Sequence, residues 1–193
     1  KSKFFSKEFN CKSYKNENEL IFDKRIKVLF ICTFHNSLKK FLLKGISSKK
    51  HILVEKPGAK NLSQILYILK KLKKTEKIKI HVGYNHRFHP SIILAKKLIN
   101  SNNIGSILYI RARYGHGARL NYDKEWRMNR KISGGGELID QGSHLIDLSR
   151  LFLGEFVSVK SSLRKYFWKS DGKVDDNAFL ILSTKKNKIA FLH

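Results

Sequence analysis

One segment in the second half of the chain places ionisable side chains at helical spacing. In "SGGGELIDQGSHLIDLSRLFLGE", residues 133–155, Asp140, His144 and Asp147 follow one another at intervals of four and three residues. Residues at these intervals are neighbours on a helix surface, so a helix would stack two carboxylates and an imidazole along one stripe. The histidine could exchange protons close to neutral pH, because its ordinary pKa is about 6.5. The pattern also fits a solvated polar face with an incidental histidine, and the segment alone leaves both interpretations open.

The first half of the chain alternates short apolar runs with helical patterns. The apolar runs cover residues 26–33, 51–56 and 77–84, and the helical patterns cover residues 36–46 and 61–74. Strands that alternate with helices of about 10–15 residues indicate βαβ units and a parallel sheet covered on both faces. Ligands of such sheets bind beyond the carboxyl ends of the strands. The residues at those ends are polar or ionisable: Thr33, His35, Asn36, Glu55, Lys56, Asn85, His86 and Arg87.

The second half of the chain has a different pattern. A helix over residues 90–100 leads to an alternating strand over residues 106–117, and the helix that carries Asp140 follows. Three further strand candidates lie at residues 156–168, 175–184 and 188–193. A run of strands after a helix predicts a mixed or antiparallel sheet, and hence an α+β domain. We therefore place a domain boundary between residues 86 and 87.

The composition of the chain limits the classes of protein to which it can belong. With 41% hydrophobic residues the chain can build a core, and its formal charge of +25 is the feature that invites a nucleic-acid partner. The excess charge is mostly lysine spread through helices, and no nucleic-acid-binding motif is present, so we expect solvated basic faces and no specific nucleic-acid partner. No apolar run approaches the roughly 18 residues that span a bilayer, so no membrane partner is expected. Cys11 and Cys32 stand alone, which indicates a reducing compartment, the cytoplasm by default.

Five motifs occur in order along the chain: "HILVEKPGAKNLSQ", "VGYNHRFHPSI", "RARYGHG", "KEWR" and the segment 133–155 already quoted. Together they closely resemble the Gfo/Idh/MocA family of NAD(P)-dependent oxidoreductases, over essentially the whole chain. The resemblance implies an α/β protein in two parts. Residues 1–86 would form an N-terminally truncated Rossmann domain. Residues 87–193 would form part of an α+β domain for substrate binding and oligomerisation, with a mostly antiparallel or mixed open sheet.

The resemblance also implies a function. An enzyme of this family transfers a hydride between NAD or NADP and a hydroxyl or keto carbon of a sugar, cyclitol or nucleotide-sugar. A non-catalytic protein that senses sugar or NAD on the same fold is the alternative, because a fold does not dictate activity. A basic nucleic-acid-binding module is a less favoured third possibility. The open face of the second-domain sheet implies a homodimer or homotetramer.

Roles for individual residues follow from the matching positions. Lys56 of the "EKP" motif, Asp140 and His144 would be catalytic. Oxidising a carbinol needs a base for the hydroxyl proton, which suits His144, and the ammonium of Lys56 would stabilise the developing alkoxide while Asp140 anchors the hydroxyl. The cofactor-binding set is Thr33, Asn36, Glu55, Lys56, Trp126 and Arg127, and the substrate-binding set is Arg87, Arg113, Tyr114, His116 and Asp140. No metal site is expected, because no paired ligand spacing such as HExxH occurs.

The glycine-rich phosphate loop of the family has no counterpart in the sequence, which contains no GxGxxG. The resemblance places that loop before the first residue, so the 193 residues alone are expected to bind cofactor weakly. The opening residues would form the end of a helix, a short strand at residues 11–14 and a small helix. Both ends of the chain are expected to lie within a longer protein.

Overall fold

The computed structural model describes residues 2–73, 77–168 and 174–193, which form two β-sheets and seven α-helices. The first sheet is parallel and has the order β1-β2-β3, built from β1 (Val28–Ile31), β2 (His51–Val54) and β3 (Ile80–Val82). The parallel sheet predicted from the alternating pattern is therefore present.

Two helices connect these strands and lie on the same face of the sheet. α3 (His35–Ser47) follows β1, α4 (Leu62–Leu72) follows β2, and the two helices contact each other. Since the chain moves from β1 to β2 to β3 in one direction, right-handed crossovers put both helices on one side. The core beneath them is apolar: Ile21, Leu29, Ile31, Leu38, Leu42, Ile46, Ile52, Val54, Ala59 and Ile68.

Three expectations about this half need correction or restriction. The sheet is not covered on both faces by the described residues, because Phe30 of β1 points away from the helices and is 71% exposed. Residues 11–14 form no strand, since no described strand lies beside them to complete a ladder; they connect α1 (Ser2–Glu8) to α2 (Glu17–Phe22). The predicted helix over residues 61–74 ends at Leu72, and Lys74 lies outside the described residues.

The second sheet is mixed and has the order β4-β7-β6-β5. Its strands are β4 (Tyr109–Ala112), β5 (Phe156–Arg164), β6 (Asn177–Thr184) and β7 (Ile189–Leu192). β4 is parallel to β7, whereas β5, β6 and β7 pair antiparallel. One face packs against α7 (Ser143–Leu153) through a small apolar core of Leu145, Leu180, Leu182, Ala190 and Leu192. The predicted mixed sheet is confirmed.

Short elements join the two halves. α5 (Pro90–Asn100) has the predicted bounds and leads to β4, after which two 3₁₀ turns, Tyr122–Lys124 and Trp126–Met128, precede α6 (Arg130–Ser133). A π-helical turn, Leu138–Gly142, then runs directly into α7. None of the helices formed by the described residues has the length and apolarity that crossing a bilayer requires.

Candidate active site

The glycine-rich turn before α7 fixes the position of the catalytic candidates on that helix. The carboxylate of Asp175 holds the start of this segment: it accepts hydrogen bonds from Gly136 N at 3.1 Å and from Leu138 N at 2.8 Å. A Cβ added to Gly136 would lie 1.8 Å from the carbonyl oxygen of Asp175, so no other residue fits that approach. These glycines thus allow the backbone to come close to a neighbouring segment.

Lys56 and Asp140 meet between the two sheets. Lys56 follows β2, and its ammonium donates to the carbonyl oxygen of Asp140 at 2.5 Å and to the carboxylate oxygen Oδ1. On the other side of the carboxylate, Arg127 Nε lies 3.0 Å from Oδ2. Lys56 and Asp140, which are 84 positions apart in the sequence, therefore form a largely buried ion pair. Arg127 is a second cation beside the carboxylate.

This environment decides the charge of Asp140. Burial acts to raise the pKa of the carboxyl group, but the hydrogen bond and charge of Lys56, followed by the charge of Arg127, lower that pKa below its ordinary value. Asp140 is consequently a carboxylate at neutral pH. It can accept hydrogen bonds and orient a cation.

His144 lies one helical turn further along, in a nest of rings. Its side chain is 6% exposed, and its ring stacks on that of His86 with centroids 3.9 Å apart and planes 16° from parallel. The rings of Tyr84 and Tyr114 meet it edge to face at 5.8 and 6.4 Å. Its Nδ1 atom is buried and has no hydrogen-bond partner among the described residues, so a bound hydroxyl would have to meet the ring at its other nitrogen, Nε2.

The surroundings hold this imidazole in its neutral form. Burial is the largest influence and, with the charges of His86 and Lys56, it lowers the pKa of His144 to about 4. The carboxylates of Asp140 and Asp147 act in the opposite direction and are outweighed. At neutral pH the ring is thus unprotonated and able to accept a proton.

Asp147, the third member of the stripe, has a different partner. Its two carboxylate oxygens accept from Arg87 Nε and Nη2, each at 2.6 Å, in a bidentate pair. Arg87 follows β3, so the pair ties the end of the first sheet to the middle of α7. The guanidinium that the sequence places in the substrate set is thereby engaged with a carboxylate of this chain.

A cavity of about 630 Å³ opens beside Lys56, beyond the carboxyl ends of β1 and β2. Five residues of the predicted cofactor set line it, together with Asp140: Thr33, Glu55, Lys56, Trp126 and Arg127. Asn36, the sixth member, lies outside this lining and is exposed on α3. Edges of parallel sheets at this point bind nucleotides, and the cavity has room for a flat ring against Trp126. The residues present fit a nicotinamide group here.

Trp126 is held from the first half of the molecule. His35 and Phe34 at the start of α3 contact its indole with ring centroids 4.9 and 5.1 Å away, and His35 Nδ1 pairs with the carbonyl oxygen of Ser133 at 2.9 Å. His35 therefore links α3 to both the Trp126 turn and the glycine-rich turn. No role in the site was predicted for His35 beyond its place at the end of the first strand.

A second cleft of about 750 Å³ lies on the other side of the π-helical turn. Arg113, Tyr114 and His116 of the predicted substrate set line it, as does Glu137. The hydroxyl of Tyr122 donates to Glu137 at 2.6 Å, and His116 Nε2 lies 3.6 Å from the other carboxylate oxygen. Burial raises the pKa of Glu137. The structure thus divides the predicted substrate residues among this cleft, the Lys56–Asp140 pair and the Arg87–Asp147 pair.

Sequence reasoning missed two residues that contact the candidate base. His86 and Tyr84 stand directly after β3 and touch His144, although only the strand-end position of His86 was noticed. The usable signal was that strand-end position, because the carboxyl ends of neighbouring parallel strands converge. Within the described ranges, no group of three or more His, Cys, Asp or Glu side chains is placed to hold a metal ion.

The fold and this constellation define a class: a Rossmann-type nucleotide-binding half joined to a mixed-sheet half, with lysine, carboxylate and histidine between them. A family model described as "Oxidoreductase family, NAD-binding Rossmann fold" matches residues 1–84, and one described as "GFO/IDH/MocA C-terminal domain" matches residues 92–193. The chain belongs to the Gfo/Idh/MocA family of oxidoreductases, and the resemblance drawn from its motifs is confirmed.

Characterised relatives have sugar substrates in their names. The chain is 33% identical over 147 residues to levoglucosan dehydrogenase of Pseudarthrobacter phenanthrenivorans, a match that covers 75% of the chain and 37% of that protein. It is 31% identical over 195 residues to glucose-6-phosphate 3-dehydrogenase of Bacillus subtilis, covering 96% of the chain and 54% of the relative.

A similar solved structure is levoglucosan dehydrogenase in complex with NADH and levoglucosan. It superposes with a TM-score of 0.90 at 27% identity, covering 99% of the chain and 54% of that structure. The chain therefore spans about half the length of the relatives that it matches.

Proposed function

We propose that the intact protein is an NAD(P)-dependent dehydrogenase that acts on a hydroxyl-bearing carbon of a sugar, cyclitol or nucleotide-sugar. The observation that carries the proposal is the placement of three side chains. Lys56 and Asp140 line the cavity at the ends of β1 and β2, and an unprotonated His144 lies one helical turn beyond Asp140, where the charge of Lys56 acts on it. Support for the substrate class comes from the names of the sugar dehydrogenases that the chain resembles.

Each of the three side chains has one task in this proposal. His144 accepts the proton of the reacting hydroxyl at Nε2, because its ring is unprotonated and its Nδ1 atom is buried. The ammonium of Lys56 stabilises the negative charge that develops on the oxygen as the proton leaves. Asp140 orients that ammonium and accepts a hydrogen bond from a substrate hydroxyl. The nicotinamide, when bound, supplies the hydride acceptor, or the hydride donor in the reverse direction.

The remaining members of the predicted sets surround this centre. Thr33, Glu55, Trp126 and Arg127 would hold the nicotinamide end of the cofactor, and Asn36 stays a prediction for a more distant contact. Arg113, Tyr114 and His116 would contact the part of the sugar that does not react. Arg87 would contribute by keeping α7 in place through Asp147.

The assembly and location of the protein are also proposals. We place the domain boundary between residues 86 and 87, and we propose a homodimer or homotetramer formed by the outer face of the second sheet. Apolar side chains on that face are exposed, among them Phe179, Ile181 and Phe191. Both cysteines are unpaired and exposed, which supports a reducing, cytoplasmic compartment.

The test is an assay of the intact protein with NAD or NADP against a panel of sugars, sugar phosphates, cyclitols and nucleotide-sugars. We expect at least one sugar or cyclitol to reduce the cofactor, and we expect the rate to depend on His144. Binding of NADH and sugar without turnover on any member of the panel would favour the sensor over the enzyme. Salt-resistant binding to nucleic acid in place of sugar would contradict both.

A further inference from the structure

We propose that His86 is a positioning residue for His144: its ring covers one face of the buried imidazole, fixes the plane of that ring and keeps water from it. This inference rests on the proposed role of His144 as base. The two rings are nearly parallel at 3.9 Å, which is contact distance for stacked rings. The interaction brings together residues from different halves of the molecule, since His86 follows β3 and His144 lies on α7.

The geometry leaves His86 little else to do. The described residues give its ring two aromatic contacts, the stack on His144 and a tilted contact with Tyr114 at 5.4 Å. Within the described ranges His144 has no hydrogen bond at Nδ1, so no polar partner from them determines how its ring is rotated. A carboxylate or carbonyl usually fixes the orientation of a functional imidazole. Here the ring packing performs that task.

Charged and titratable groups reach His144 from every element around it. Lys56 follows β2, and Tyr84 and Tyr114 follow β3 and β4. Asp140 lies on the π-helical turn before α7, and Asp147 lies on α7 itself. Arg87 neutralises Asp147 through the bidentate pair. Of the aromatic contacts that the described residues make with His144, only that of His86 is stacked, whereas those of Tyr84 and Tyr114 are edge to face.

The consequence is a base that stays ready at neutral pH. Two stacked imidazoles cannot both carry a proton at low cost, because like charges at this distance repel. His86 is the less buried ring, so it takes a proton first and further disfavours protonation of His144. Covering the face also maintains the burial that lowers the pKa of His144.

The experiment is an NMR titration of histidine-labelled intact protein, combined with kinetics. His86→Ala removes the cover, and we expect the titration midpoint of His144 to rise by about one pH unit or more, towards its ordinary value. We expect kcat to fall roughly ten- to a hundredfold, with a smaller change in KM, because the ring loses its fixed plane. His86→Phe keeps a flat ring in place and should restore the low midpoint and most of kcat.

The control is His81→Phe, the same substitution at an exposed position on β3, which should change neither reading. An unchanged His144 midpoint in folded His86→Ala would overturn the inference, and so would a His86→Phe protein that behaves like His86→Ala. The proposed function can fail separately from this inference. That is the outcome if His144→Ala keeps its turnover, while His86→Ala still shifts the titration midpoint of His144.

Discussion

Asp140 carries the negative charge that balances the cations of the site. Its carboxylate is 7% exposed and contacts two cations, Lys56 and Arg127. A lone buried carboxylate would be costly, whereas one shared by two cations leaves a positive excess beside the reacting oxygen. Glu125 takes part of that excess, since it pairs with Arg127 at 3.1 Å and with Arg119 at 2.6 Å. In the proposed function, the remaining positive charge would stabilise the negative charge that develops on the substrate oxygen.

Replacing Asp140 by Asn tests this balance. Asp140→Asn keeps the size of the side chain but removes the negative charge, so Lys56 loses the partner that orients it. We expect kcat to fall and KM to rise together, with kcat/KM reduced by roughly a hundredfold. Steady-state kinetics measure both constants, and Asp123→Asn on the nearby 3₁₀ turn is the matched control. A loss of thermal stability with unchanged kcat/KM would show that Asp140 is structural.

Among the elements, the glycine-rich turn is the one that other residues cannot replace. Gly134 has a φ of +92°, and a Cβ there would lie 2.4 Å from the carbonyl oxygen of Lys60. Gly136 approaches the backbone of Asp175 still more closely. The turn thus joins a loop of the first half to the strand region of the second, and it aims the π-helical turn at Lys56.

The cost of filling this space can be measured. Gly136→Ala should lower the free energy of unfolding by about 3 kcal/mol, because the added methyl group meets backbone and not a flexible side chain. Gly115→Ala, in a loop where a Cβ meets nothing within 4 Å, is the control and should change stability little. Urea denaturation of both variants gives the comparison. Equal stability of the two would contradict the packing described for the turn.

Some of these elements could be predicted from the sequence, and others could not. The core strands were predictable because runs such as that of β1 are apolar over their whole length, and α5 was predictable because His89 and Pro90 mark its start. A strand at residues 11–14 was wrong, since a strand needs a neighbour that local sequence does not reveal. Contacts such as the stack of His86 on His144 depend on how the two halves meet, which no spacing within either half encodes.

At the scale of the whole molecule, the second sheet presents an apolar outer face. Ile181 and Phe191 are direct partners across β6 and β7, and both are about 40% exposed. Tyr109 on β4 and Phe179 on β6 extend the patch, and Lys160 and Arg111 lie beside it in the same groove. The proposed homodimer or homotetramer would cover this patch with a second copy.

Disrupting the patch should separate the subunits. Ile181→Asp places a charge in the centre of the proposed interface, so the intact protein should sediment as a monomer at tens of micromolar, while the wild type sediments as a dimer or tetramer. Leu94→Asp, at an exposed position on α5, is the control and should leave the assembly intact. A wild-type protein that is already a monomer would remove the proposal.

The role of His144 as the base is tested by the pH dependence of turnover, compared between wild type and His144→Ala. His144 must be unprotonated to accept a proton, and its pKa is lowered to about 4, so wild-type kcat/KM should rise with pH through about 4 and not through its ordinary value. His144→Ala should lose that acidic limb and turn over roughly two to four orders of magnitude more slowly, with NADH affinity nearly unchanged. Lys56→Ala should be slow but keep the limb. A His144→Ala enzyme with turnover within tenfold of wild type and mainly a lower melting temperature would contradict the account.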